Sequence, residues 1–179
     1  MVLSKVISIL LIINSLIACS TFIQQSPLDN VYKALGVEQN TFIYLVRHAE
    51  KQSIQGKDPS LTAKGEQRAK NLASVLKSVN LSAVYSTPYK RTIETGTPTA
   101  KSKNLVIVQG YKPAEEFAHE LLSNHQGESI LVVGHSNTTP ELIKALGVET
   151  TITIEHHQYG DLFIVEIDNS RIKLTVSSF

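Results

Sequence analysis

Strands and helices alternate along most of this chain, and three of the strands end on polar residues suited to holding an anion; that order confines it to a layered α/β fold. Apolar runs predict strands at residues 42–46, 83–85, 105–108 and 129–133. Helical stretches are predicted between them at 62–79, 88–101, 113–125 and 139–146, with three late strands at 151–154, 162–167 and 172–176. The expected fold is a three-layer α/β/α domain with a mostly parallel central sheet. The helix from Thr62 carries the clearest signal: Thr62 is placed to cap it, and Ala69, Leu72, Ala73, Leu76 and Val79 recur along one face. Its other face, with Lys64, Glu66, Arg68 and Lys70, reads as a solvated helix surface.

The three polar strand ends are Arg47-His48-Ala49-Glu50-Lys51, Ser86-Thr87-Pro88-Tyr89-Lys90-Arg91-Thr92 and Gly134-His135-Ser136-Asn137. In an open parallel sheet the ligand crevice lies at the carboxyl ends of the strands, so Arg47, His48, Arg91 and His135 are expected to meet there. Two arginines supply planar donors that stay charged at any relevant pH, as phosphoryl transfer requires. A neutral imidazole can attack phosphorus and split hydrolysis into two displacements. Arg91 falls in the first turn of a helix opened by Thr87 and Pro88, where free amides also favour an anion. His156 and His157 adjoin Glu155, but neighbours on a strand point to opposite faces, so they are read as loop or strand-edge residues and no metal site is expected.

The segments Leu45-Val46-Arg47-His48-Ala49-Glu50-Lys51, Leu61-Thr62-Ala63-Lys64-Gly65, Tyr85-Ser86-Thr87-Pro88-Tyr89-Lys90-Arg91-Thr92-Ile93-Glu94-Thr95 and Val133-Gly134-His135-Ser136-Asn137 resemble, in order and spacing, the motifs of the histidine phosphatase superfamily. The resemblance spans Thr41 to about Gly147 and implies a phosphoglycerate mutase-like fold. It makes His48 the phosphorylated nucleophile and Arg47, Arg91 and His135 the phosphate pocket, acting on a small phosphorylated substrate without metal or cofactor. Ala49 stands where the family commonly has glycine. The general acid is open among Glu115, Glu116 and Glu50, with the first two equally suited to the start of a helix. Asn137 either caps the helix near Thr139 or touches substrate. Phosphate monoester hydrolysis is the leading activity. Phosphoglycerate-mutase-type transfer and a non-catalytic phospho-ligand binding module are the alternatives.

A formal net charge of +1 with 18% charged residues gives no electrostatic footprint for nucleic acid. The one cysteine, Cys19, excludes an internal disulfide and follows an apolar run that begins after Lys5 and ends at Leu16-Ile17-Ala18. That junction resembles the lipobox of bacterial lipoproteins; a signal anchor is the competing reading. The expected organisation is a signal peptide at 1–18, a tether at 19–40 with a short helix near 27–36, and the catalytic domain at 41–179. The resemblance implies diacylglyceryl attachment at Cys19, a membrane as partner and a cell-envelope location. Ser20, where an aspartate would retain a lipoprotein at the inner membrane, points to the outer membrane facing the periplasm.

Overall fold

The computed structural model describes residues 39–53, 56–110, 112–168 and 171–179. The signal peptide, Cys19, Ser20 and the helix expected near 27–36 lie outside the described residues. Within them the elements run β1 (Thr41–Arg47), α1 (Ala63–Val75), β2 (Leu81–Ser86), α2 (Lys90–Ser102), β3 (Ile107–Gln109), α3 (Ala114–Asn124), β4 (Ser129–Gly134), α4 (Thr138–Ala145), β5 (Asp161–Ile167) and β6 (Ile172–Ser178).

The six strands form one sheet in the order β3-β2-β4-β1-β5-β6. The first four are parallel, while β5 is antiparallel to β1 and β6 to β5, so the expected mostly parallel sheet carries an antiparallel edge. Two apolar layers cover it. On one face Leu72 of α1, Leu76 just past it and Ala100 of α2 pack on Val46, Val84, Leu131 and Val133. On the other, Ala118 and Leu121 of α3 with Leu142 and Ile143 of α4 pack on Ile43, Leu45, Ile130 and Val132. Because β1 and β4 alternate contacts to both layers, their sequences read as nearly unbroken apolar runs.

Thr62 caps α1, its side chain accepting from Gly65 N, and Ala69 and Leu72 are buried as the periodicity predicts. The helix nevertheless ends at Val75, four residues early; Leu76 still reaches the core as the first residue past it. Gly65 is required by close approach: a Cβ there would lie 2.2 Å from the backbone oxygen of Glu50. The strand expected at 151–154 does not form. Ile154 is buried and Ile152 partly so, which produces the alternating pattern, but β1 is already paired on both sides and β3 and β6 hold the sheet edges, so this segment packs on the core without a ladder.

The chain leaves β1 toward the α1–α2 face and leaves β4 toward the α3–α4 face. The carboxyl ends of these adjacent strands therefore open a crevice between diverging connections, the place where such sheets bind ligands.

Candidate active site

His48 is the first residue past β1, and its backbone N–H donates to Gly134 O of β4 at 2.9 Å, extending the β1–β4 register by one step. The next amide, Ala49 N, donates to Thr95 Oγ1 of α2 at 2.9 Å, and that hydroxyl donates to the Arg91 carbonyl at 2.7 Å. Ala49 itself is buried against Leu61 and Ala69. Two elements thus fix the backbone on both sides of one imidazole.

The imidazole is 4% exposed. Its Nδ1 lies 2.8 Å from Ala49 O, and since a carbonyl only accepts, Nδ1 carries the hydrogen and Nε2 keeps its lone pair. Burial holds the ring far below the ordinary histidine value, at about 3, with Arg47, Arg91 and His135 pushing the same way against the Ala49 hydrogen bond. At neutral pH the ring is a neutral base whose Nε2 has no hydrogen-bond partner among the described residues.

Arg47 is 5% exposed and reaches a loop more than a hundred residues away: its Nη1 donates to the carbonyls of Glu155, His156 and Gln158 at 2.8, 3.1 and 2.9 Å. Its guanidinium carbon stands 4.3 Å from the Tyr159 ring centroid. Nε is buried and makes no hydrogen bond among the described residues. Arg91, the second residue of α2, stacks on Tyr89 at 4.4 Å and has its Nη2 3.5 Å from His135 Nδ1. Asp58 Oδ1 accepts from Lys90 N at 2.8 Å and lies 3.9 Å from Arg91 Nη1. His135 follows β4; its Nε2 is 3.0 Å from Thr87 Oγ1, and its ring meets that of His48 edge-on at 5.5 Å between centroids. Burial, then Arg91 and Arg47, lower it to about 4.

The four residues expected from sequence are brought together: a neutral imidazole with an open nitrogen, a second neutral imidazole, and two guanidinium groups. Such a set can hold a tetrahedral dianion and attack it. The remaining expectations fare differently. Asn137 occupies the cap position of α4, but its side chain makes no capping bond and is exposed; Thr138 Oγ1 accepts from His135 N instead. Glu115 and Glu116 sit in the first turn of α3, Glu116 pairing with Lys112 at 3.5 Å. Glu115 lines a cavity of about 580 Å³ that reaches the strand ends at Thr87 and Gly134. Glu50 is engaged in ion pairs with α1. Arg68 grips its two oxygens at 2.8 and 2.7 Å, Lys64 adds a contact at 3.4 Å, and the Arg68 bonds hold its carboxyl down at about 2, where it gives up no proton in the neutral range. The α1 surface therefore is not purely solvated, because Arg68 and Lys64 tie it to the loop after His48.

Sequence reasoning missed Tyr159, Thr95 and Asp58, and the carbonyls of the 155–158 loop. Thr95 was legible in principle, four residues after Arg91 on one helix face. The carbonyls have no side-chain signature. Residues 156 and 157 form a turn, and His156 meets Arg47 through its backbone carbonyl.

The family model of the histidine phosphatase superfamily (branch 1) matches residues 43–112. That stretch, which holds β1, α1, β2, α2 and β3, is what the chain shares with the superfamily. Phosphoserine phosphatase 1 of Hydrogenobacter thermophilus is 40% identical over 73 residues, 37% of this chain and 35% of that protein, so the match spans about a third of the relative's length. In fold the chain is similar to YhfR of Bacillus stearothermophilus (TM-score 0.63, 22% identity, 76% of this chain and 96% of that one). It is equally similar to the protein histidine phosphatase SixA complexed with tungstate (0.64, 20%, 76% and 96%) and to a mycobacterial glucosyl-3-phosphoglycerate phosphatase (0.62, 12%, 78% and 98%).

Proposed function

We propose that the chain is a phosphatase that hydrolyses phosphate monoesters through a phosphohistidine on His48. The observation that carries this reading is the tautomer: Nδ1 is spent on Ala49 O, leaving the Nε2 lone pair in a site flanked by Arg47 and Arg91. Nε2 attacks phosphorus, the P–O bond to the leaving group breaks, and the alkoxide takes a proton from an acid. Water then attacks the phosphohistidine, releasing inorganic phosphate and neutral His48. Arg47, Arg91 and His135 hold the equatorial oxygens, where charge is greatest in flight, and the charge work needs no metal. Glu115 is the candidate for the acid: it lines a cavity whose wall includes Thr87 and Gly134, next to His135, though none of the four pocket residues themselves; Glu116 shares its helical turn but is engaged with Lys112. Asn137, exposed at the start of α4 two residues after His135, is assigned to contact with substrate. The named relatives act on phosphoserine, on protein histidine and on glucosyl-3-phosphoglycerate, which supports a phosphate ester or phosphoramidate as substrate class without choosing among them.

In this reading Cys19 is the lipid-bearing first residue of the mature protein, residues 20–40 are a tether, and the enzyme faces the periplasm from the outer membrane. The support is the sequence Leu16-Ile17-Ala18-Cys19-Ser20 after an apolar run. Several acyl chains together anchor firmly where one alone does not.

Steady release of phosphate from an aryl phosphate by the wild-type protein, in the presence of chelator, tests the activity. His48→Ala should abolish it while the protein stays folded; a variant that keeps most of the rate contradicts the reading. Cys19→Ser should leave uncleaved precursor, and a soluble mature protein from that variant would contradict the anchor.

A further inference from the structure

Two buried hydroxyls behind His135 have no part in the chemistry above. Thr92 is fully buried and Thr87 nearly so. Thr92 Oγ1 lies 2.8 Å from Tyr89 O, 2.9 Å from Thr87 O and 2.9 Å from Thr87 Oγ1. The contact between the two hydroxyls by itself allows either direction, so the direction is read from the ring. The guanidinium of Arg91 can only donate, and its Nη2 lies 3.5 Å from His135 Nδ1, which makes Nδ1 the acceptor. A neutral ring then carries its hydrogen on Nε2, which donates to Thr87 Oγ1 at 3.0 Å. The Thr87 hydroxyl donates in turn to Thr92 Oγ1, and the Thr92 proton goes to one of the two carbonyls.

We propose that Thr87 and Thr92 form a one-way hydroxyl relay that fixes His135 as its Nε2–H tautomer, so that Nδ1 turns a lone pair to the pocket and takes the hydrogen of a singly protonated phosphate. Thr87 is a positioning residue in this scheme, and the scheme rests on the phosphate-pocket reading above. The groups facing His135 are Tyr89 and Arg91 from the β2–α2 segment, Arg47 and His48 from the end of β1, and Thr138 from the start of α4. None is an acid, and the cations together with burial keep His135 neutral in the free protein at pH 7. A bound P–OH changes that balance: its hydrogen lies between a phosphate oxygen and Nδ1, no bond to phosphorus changes, and the complex holds one proton more than free protein plus dianion.

Nitrogen-resolved NMR of the histidine rings in the full chain, with His135 assigned by its loss in His135→Asn, reads the tautomer directly. The free wild-type protein at pH 7 should show Nε2 protonated and Nδ1 bare, and added inorganic phosphate at pH 8 should move Nδ1 toward the protonated position. Thr87→Val should abolish the Nε2–H preference and raise KM for an aryl phosphate about tenfold with a smaller change in kcat, and Thr87→Ser should restore both. A wild-type ring protonated on Nδ1, or a Thr87→Val protein with an unchanged tautomer, overturns the relay. An Nδ1 signal unmoved by phosphate overturns the proton-acceptor role. The wild-type spectrum needs no variant to fold and no turnover, so failure of the phosphatase reading would show separately, as absent phosphate release with the relay intact.

Discussion

Arg47 and Arg91 bring the same charge to the same histidine, and the protein holds them in opposite ways. Arg47 is clamped by three backbone carbonyls and covered by the Tyr159 ring, from a loop that belongs to the last third of the chain. Arg91 is placed by the first turn of its helix and by stacking on Tyr89, with no polar contact to its guanidinium shorter than 3.5 Å among the described residues. One arm of the pocket is fixed before substrate arrives; the other can shift to meet it. Fixed charge contributes most to a transition state because nothing must reorganise when charge develops.

The largest expected effect breaks this comparison or upholds it. Arg47→Ala should lower kcat/KM by about 10²–10³, the range for losing one preorganised donor, and also destabilise the fold by about 2 kcal/mol as the loop carbonyls lose their partner. Arg91→Ala should cost activity on the same scale while changing stability by less than about 0.5 kcal/mol, as an unclamped side chain would. Steady-state kinetics with chemical denaturation separate the two, and equal stability losses would erase the distinction. Lysine should rescue poorly at position 47, where the fork meets several acceptors.

A second pair sharpens the contrast between a structural and a chemical carboxylate. Glu50→Gln unlocks Arg68 and should cost about 1–2 kcal/mol of stability with kcat nearly unchanged. Glu115→Gln should leave stability alone and slow an alkyl phosphate by about 10², with far less effect on an aryl phosphate whose leaving group needs no proton.

The smallest effect is on pH. The folded values of His48 and His135, about 3 and 4, lie below that of an unfolded histidine, near 6.5. Between those limits the unfolded chain binds protons that the folded one refuses, so stability is full above about 6.5 and falls as pH drops through the folded values. Glu50 acts with the same sign lower down, its contribution present above about 4.5 and lost toward 2. In His48→Asn the slope of stability against pH between 6 and 4 should shrink by about one proton. After allowance for the substrate's own ionisation near 6, kcat/KM should show no histidine limb between pH 5 and 8.

The strand-ending residues were legible because β1 and β4 are buried on both faces, so an apolar run that stops abruptly marks both the strand and the crevice. Arg47, His48 and His135 stand at such stops, and Arg91 follows in the first turn of the helix after β2. What stayed hidden is what holds them. The clamp on Arg47 is made of peptide carbonyls 108 to 111 residues away, whose acceptor chemistry every residue shares. Ile152 and Ile154 show the converse failure: their alternation records burial correctly, yet pairing depends on a free sheet edge, which no local pattern encodes.

The most direct measurement is to quench the wild-type enzyme during turnover of a labelled phosphate ester and map the phosphorylated residue. Base-stable, acid-labile phosphate on His48, absent from His48→Ala, is the predicted result. Label on any other residue, or turnover with no phosphoenzyme and inversion of configuration at phosphorus as direct attack by water gives, would contradict the account.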